Sequence, residues 1–329
     1  MKPSFDGILG LAIGDALGVP VEFTYREDLA SAPVIDMESG GTYGMPAGCW
    51  SDDTSLTLAT MDAIINNDGE INNKTYYSIA NNFANYYYRN CFTPTGKAFD
   101  IGNTTRKAIS DFATKGIHPL HAGGNSEFNE GNGALMRILP LAYYAHQNNL
   151  SHEDTQKIVN NVSSITHRLP TCKLGSYIYT EFARKLIEGA SKEDAYKYIQ
   201  SLDYSNYPYD VVFTYGRILQ KNITDLDQRY INSAGKTLPT LEASLWSFMR
   251  NKEYKTTVLQ AVNLGDDTDT IAAVAGGLAG IYYGINSIPE NWIKTCKKVD
   301  YISDICSKFD KSIQKETIQE KATQEDEER

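Results

Sequence analysis

The sequence predicts an all-α fold, on three observations. Apolar residues recur at the 3.6-residue spacing of amphipathic helices along most of the chain, and the period-two alternation of strands is scarce. Cap residues stand where such helices should open and close. The pattern places helices over residues 5–17, 52–65, 74–88, 104–114 and 134–145, and Pro140 should kink or split the last, because it lacks an N–H. Three helices then follow between 151 and 202. Ser151 with Asp154, and Ser191 with Asp194, have the spacing of an N-cap hydroxyl and an N3 acid, and Gly189 stands where a glycine ends one helix before the next. Further helices are expected over 209–219, 241–249, 270–283 and 289–298. Loops at 38–48 and 116–133, rich in glycine and asparagine, are longer than packing requires, and long ordered loops often carry function. Residues 311–329 have almost nothing to bury and read as a charged, disordered tail or frayed helix end outside a 1–310 domain.

Composition narrows the class. A chain of 329 residues can form one large core or two smaller domains. Its 41% hydrophobic and 22% charged residues are globular proportions, which exclude global disorder and rod-like folds. With 31 basic against 41 acidic side chains, the net charge of −10 argues against a dedicated nucleic-acid binder, which needs a basic surface to displace phosphate counterions. The five cysteines are scattered with no Cys-x-x-Cys pair, so they read as reduced core thiols and not as zinc ligands. The opening Met-Lys-Pro-Ser-Phe-Asp lacks the apolar run of a secretory signal, and the apolar stretch 271–285 falls short of the roughly 20 residues that span a bilayer. The expectation is a cytoplasmic protein with no membrane partner; the sequence carries no signature of an oligomeric state.

Two acidic runs stand out. Trp50-Ser51-Asp52-Asp53-Thr54-Ser55 opens one helix, and Gly265-Asp266-Asp267-Thr268-Asp269-Thr270 opens another that is apolar all round and therefore buried. Carboxylates at a helix N-terminus are explained by capping and the helix dipole, and for the first run that reading stands beside a metal site. For the second it falls short. The dipole offsets only about 0.3–1 kcal/mol per charge, against mutual repulsion and desolvation. A divalent cation would balance the charge, and without His or Cys in either run magnesium or manganese suits the oxygen donors better than zinc. If both runs serve one site, the two ends of the chain belong to one domain. The small residues Gly276, Gly280 and Gly284 would let a neighbouring helix approach.

Gly14-Asp15-Ala16-Leu17-Gly18-Val19-Pro20-Val21-Glu22-Phe23, Trp50 to Thr54, Gly131-Asn132-Gly133-Ala134-Leu135-Met136-Arg137, Thr166-His167 and Gly265 to Thr270 together resemble the ADP-ribosylglycohydrolase family in order and spacing, over about residues 5–292. The resemblance implies a single helical domain with two Mg²⁺ or Mn²⁺ ions in a cleft, held by Ser51, Asp52, Asp53, Asp267, Asp269 and Thr270, with Asp267 or Asp269 bridging. It implies catalytic roles for Glu22, Asp53 and Asp267, and substrate contacts from Asp100, His167 and a diphosphate-binding loop at Gly131, Asn132 and Gly133. Glycines before a helix also suit an anion physically, although a Gly-Asn-Gly run alone is more often only a turn. Arg106 reads as a helix-surface cation. Two departures are visible: Ser51 where relatives often have threonine, and Asp266 where many have glycine, which would add a charge beside the metals.

The implied activity is hydrolysis of the N-glycosidic bond between ADP-ribose and a modified protein side chain, most of all arginine. Alternatives are the same fold acting on serine-linked or acyl-linked ADP-ribose or on a small ADP-ribose metabolite, a non-catalytic ADP-ribose-binding or structural protein, and a phosphohydrolase that would release AMP.

Overall fold

The structure, a computed structural model, describes residues 3–314. Among them there is no strand, and 66% of them are helical. Helices of eight residues or more are α1 (Ser4–Gly18), α2 (Asp52–Ile65), α3 (Asn73–Arg89), α4 (Asn103–Lys115), α5 (Pro140–Gln147), α6 (His152–Ser164), α7 (Pro170–Ile187), α8 (Lys192–Ser201), α9 (Thr237–Arg250), α10 (Tyr254–Val262), α11 (Thr268–Tyr283) and α12 (Val299–Ser312).

The centre of the fold is the packing of α1 on α11. Both are buried almost all round, so neither has a polar face to turn outward. Their backbones meet at glycines. A Cβ added to Gly10 would lie 2.5 Å from the Gly276 carbonyl oxygen, and one on Gly14 or Gly18 would collide with the backbone of Ala272 or Asp269. Gly276 and Gly280 answer from α11, against Gly10 and Asp6, as their spacing predicts. Gly284 does not join them: it ends the helix in the left-handed region, at φ 77°. Carbonyls at this contact find hydroxyl donors, with Tyr254 OH donating to Gly10 O at 2.6 Å and Thr268 Oγ1 to Gly18 O at 2.8 Å.

By length and composition the Ser4–Val21 stretch, with mean hydropathy 1.3, could cross a bilayer, yet 78% of it is buried inside the protein. It is the core helix of one helical domain, with α3, α7, α9, α10 and α12 packed on the α1–α11 pair and its neighbour α2, and α6 and α8 packed on α7. The first and last helices touch, since α12 packs on α1 and α2.

Ser151 and Ser191 cap α6 and α8 as predicted, accepting from Asp154 N at 3.0 Å and Asp194 N at 3.1 Å. Pro140 does split its segment: residues Leu135–Arg137 form a 3-10 turn, and the proline becomes the first residue of α5. The 209–219 segment breaks at buried Tyr215 into Tyr209–Thr214 and Gly216–Leu219, and 289–298 shortens to Glu290–Thr295. Two helices, α10 and α12, go beyond the sequence prediction. The apolar stripe of α12, Ile302, Ile305, Cys306 and Phe309, is narrow and set among Lys and Asp, so the helix continues to Ser312, past the expected tail boundary. Of that tail, residues 315–329 lie outside the described residues. All five cysteines are free; Cys91 is exposed and is not a core thiol, whereas the other four are buried.

Gly14→Ala should lower stability by about 2 kcal/mol or more, because the added methyl must push the two backbones apart. The control Gly216→Ala, whose Cβ would meet nothing closer than Gln220 Oε1 at 3.6 Å, should leave the midpoint of thermal unfolding unchanged or raised.

Candidate active site

Where α1 ends, α2 and α11 begin. The acids at these three helix ends form one cluster, in which Thr270 Oγ1 reaches Asp53 Oδ2 at 3.4 Å across 217 residues of sequence. Carboxylate oxygens of Asp15, Asp53 and Asp269 lie within 4.8 Å of one another, and so do those of Glu22, Asp267 and Asp269. Asp269 belongs to both groups. Asp15, Asp53 and Asp269 are each at most 1% exposed, yet Asp53 Oδ1, Asp269 Oδ2 and Glu22 Oε2 have no hydrogen-bond partner. Unpartnered buried carboxylate oxygens are expensive, and in a native site they mark the place of an unseen cation or water.

The rest of the local geometry holds these oxygens in place. Ser51 caps α2 by accepting from Asp53 N at 3.3 Å, and its hydroxyl donates to Asp53 Oδ2 at 3.1 Å. Asp15 Oδ1 accepts from Ser51 N at 2.8 Å, and its Oδ2 accepts from Thr54 N at 3.1 Å and Thr54 Oγ1 at 2.6 Å. One side chain of α1 thus caps α2 from outside. Asp15 is the residue that sequence reading missed, although an acid near the end of a long apolar run, Gly7 to Gly14, was the available signal.

Burial raises every acid of the cluster. Asp15 is pushed up to about 7, and Glu22, beside Asp100 and Asp267, up to about 9. Asp52, Asp53 and Asp269 are driven well above the carboxylate range by burial first and by a neighbouring acid second, Asp100, Asp15 and Glu22 in turn, and Asp267 is raised more moderately. Among the described residues none of these acids forms an ion pair with Lys or Arg. The donor set is all oxygen, which fits a hard divalent cation and not zinc or copper.

Asp266 lines the same cleft as the cluster acids, and its carboxylate accepts from Ser233 Oγ at 2.8 Å, in the field of Arg26. Its backbone sits in the left-handed region, as does that of Phe23, and the two strands of chain are tied by Phe23 N to Asp266 O at 2.7 Å and Asp266 N to Thr24 O at 2.9 Å. That tie fixes Glu22 beside Asp267.

Above the cluster opens a cleft of about 510 Å³. Glu22, Asp52, Asp100, Asp267 and Thr270 line its acidic side, and Gly131, Asn132, Gly133 and His167 line the other; Ser51, Asp53 and Asp269 lie beneath the floor. Asp100 is half-buried and accepts from Tyr43 OH at 2.6 Å, so the 38–48 loop does reach the site. Arg106 is exposed, bonded to Asn103. The Gly131 loop departs from its predicted form. Only a 3-10 turn follows it, so no long helix points a dipole at the loop, and Asn132 Nδ2 is engaged with Asp267 Oδ2 at 2.6 Å and Thr240 Oγ1 at 2.8 Å. The glycines make room for His167: a Cβ on Gly133 would lie 2.9 Å from its Cε1, and one on Gly131 3.2 Å from its Nε2.

With chelator present, the protein should lose stability as pH rises from about 5 to 9. The folded acids, raised from 3.8 to about 7 for Asp15 and from 4.5 to about 9 for Glu22, hold protons that the unfolded chain gives up; their contribution is complete below pH ~4 and lost as pH passes the folded values. Asp269→Asn should flatten this fall in thermal midpoint and abolish the rise that added Mg²⁺ or Mn²⁺ produces in the parent protein. A parent midpoint insensitive to both pH and cations would contradict the reading of the cluster.

Comparison with known proteins places the chain in a family. The sequence profile of the ADP-ribosylglycohydrolase family matches residues 5–319. The chain is 32% identical over 309 residues to the ADP-ribosylarginine hydrolase Tri1 of Pseudomonas putida (strain GB-1), an alignment covering 93% of this chain and 78% of that protein. It is 29% identical to the ADP-ribosyl-[dinitrogen reductase] glycohydrolase of Rhodospirillum rubrum, covering 87% of each. A solved structure described as an ADP-ribosylglycohydrolase-related protein complex superposes with a TM-score of 0.78 at 26% identity, covering 95% of this chain and 98% of that one. The chain belongs to the ADP-ribosylglycohydrolase family and is an enzyme that hydrolyses ADP-ribose glycosidic bonds.

Proposed function

We propose that the enzyme removes ADP-ribose from modified arginine side chains of proteins. The observation that carries the reading is the shared acidic cluster beneath a cleft whose opposite wall is a glycine loop. The arginine linkage is supported by two relatives named ADP-ribosylarginine hydrolase Tri1, from Pseudomonas putida and Serratia proteamaculans, at 32% and 29% identity. The free cysteines support a reducing, cytoplasmic setting.

Asp53, Asp267, Asp269 and Thr270, with Ser51 and Asp52 beside them, are proposed to hold two divalent ions, magnesium or manganese, and the position of Asp15 adds it to that set. Bound there, such ions would supply Lewis acidity beside the ribose hydroxyls and the attacking water. In the proposed reaction water adds to the anomeric carbon as the bond to the guanidine nitrogen breaks, giving ADP-ribose and unmodified arginine. Positive charge grows on the ribose during that step, and the carboxylates of Asp53, Asp267 and Asp269 favour it electrostatically. Glu22 Oε2, without a partner and grouped with Asp267 and Asp269, is the proposed acceptor of the water proton, which then passes to the departing guanidine nitrogen; the positive charge of bound ions would return Glu22 to the carboxylate form this requires. Asp100 and its Tyr43 partner border the same end of the cleft, where they are suited to orient hydroxyls.

Incubation with ADP-ribosylarginine and Mg²⁺ or Mn²⁺ should release intact ADP-ribose and no AMP. Glu22→Gln and Asp269→Asn should each lower kcat by about 100-fold or more while the protein remains folded by circular dichroism. Turnover of serine-linked but not arginine-linked substrate would overturn the linkage; AMP as product would overturn the reaction.

A further inference from the structure

Among the described residues Arg137, a buried cation, has no anionic partner. It is 0% exposed, its guanidinium carbon lies 4.5 Å from the centre of the Phe83 ring, and its Nε and Nη1 have no hydrogen-bond acceptor. Only Nη2 is engaged, donating to Val162 O at 3.2 Å and Thr166 Oγ1 at 2.7 Å. Isolating a charge in this way is costly, so the bonds it does make call for a reason.

The reason lies in proton bookkeeping. A guanidinium has no lone pair to offer, so Thr166 Oγ1 is the acceptor in that contact and keeps its own hydrogen to donate. The acceptor in reach is His167 Nδ1, at 2.9 Å. With Nδ1 accepting, the single proton of a neutral imidazole sits on Nε2, the nitrogen beside Gly131 and the cleft. The ring stays neutral, since burial and the charge of Arg137 hold its pKa down to about 3. Its backbone is clamped as well: Ser163 Oγ donates to His167 O at 3.0 Å, Gly124 N to Thr166 O at 2.9 Å, and Arg168 N to Gly124 O at 2.8 Å.

We propose that Arg137 and Thr166 are positioning residues that fix His167 as an Nε2–H donor, directed at an oxygen of the ADP-ribose group held beside the Gly131–Gly133 loop. The identity of that ligand rests on the function proposed above; the location of the proton does not.

Long-range ¹H–¹⁵N correlation on ¹⁵N-histidine-labelled protein, with His167 assigned from the spectrum of His167→Gln, reads the tautomer without ligand. The parent and Thr166→Ser should show the Nε2–H form, and Thr166→Val should lose it. Thr166→Val should also bind ADP-ribose about three- to tenfold more weakly by calorimetry, with Thr166→Ser restoring affinity. Arg137→Met should behave as Thr166→Val; if it does not fold, the threonine pair decides alone. An Nδ1–H form in the parent, or an unchanged tautomer in Thr166→Val, overturns the proposal. The expected tautomers in a protein that fails to bind ADP-ribose would uphold the relay and overturn the functional reading.

Discussion

The active site depends on how closely two helices can approach. At Gly10, Gly14 and Gly18 the backbone of α1 touches that of α11 with no side chain between them. Gly18 lies against Asp269 itself, so the packing of the core and the position of a central carboxylate are one geometric fact. A larger residue at this contact would displace the mouth of α11 from the mouth of α2, and the acids would no longer converge. The hydroxyls of Tyr254 and Thr268, which satisfy carbonyls of Gly10 and Gly18, show that the contact is polar as well as close.

Electrostatics divides the cleft above. Its floor carries acids whose charge is opposed by burial and by one another, whereas its far wall is a glycine loop backed by neutral His167, with the charge of Arg137 behind it. Such a division suits a ligand with a diphosphate at one end and a sugar that becomes positive during reaction at the other. Asn132 joins the halves, because it stands in the glycine loop while donating to Asp267. The floor and the wall are therefore mechanically coupled through one amide.

The sequence makes the helices and the two acidic runs legible because both are local patterns. Ser151 and Ser191 announce their caps within four residues, and the start of α2 at Asp52 follows from Ser51. What it hides is decided by distant partners. Asp15 looks like an anomaly in an apolar helix until Ser51 and Thr54 are placed against it. Asp266 looks like one more unpartnered acid of its run until Ser233 donates to it and Arg26 comes alongside. The same holds for Tyr43, whose value to Asp100 depends on a loop returning over 57 residues. Arg137 stands in plain view in its motif, but that no acid among the described residues pairs with it is a property of the fold.

The cluster takes Asp15 and Asp53 from the first helices of the chain and Asp269 from near the last. During synthesis the amino-terminal acids leave the ribosome long before their counterpart exists, so a nascent chain cannot assemble the cluster or turn over substrate. Completion of translation is in that sense the enzyme's own activation step.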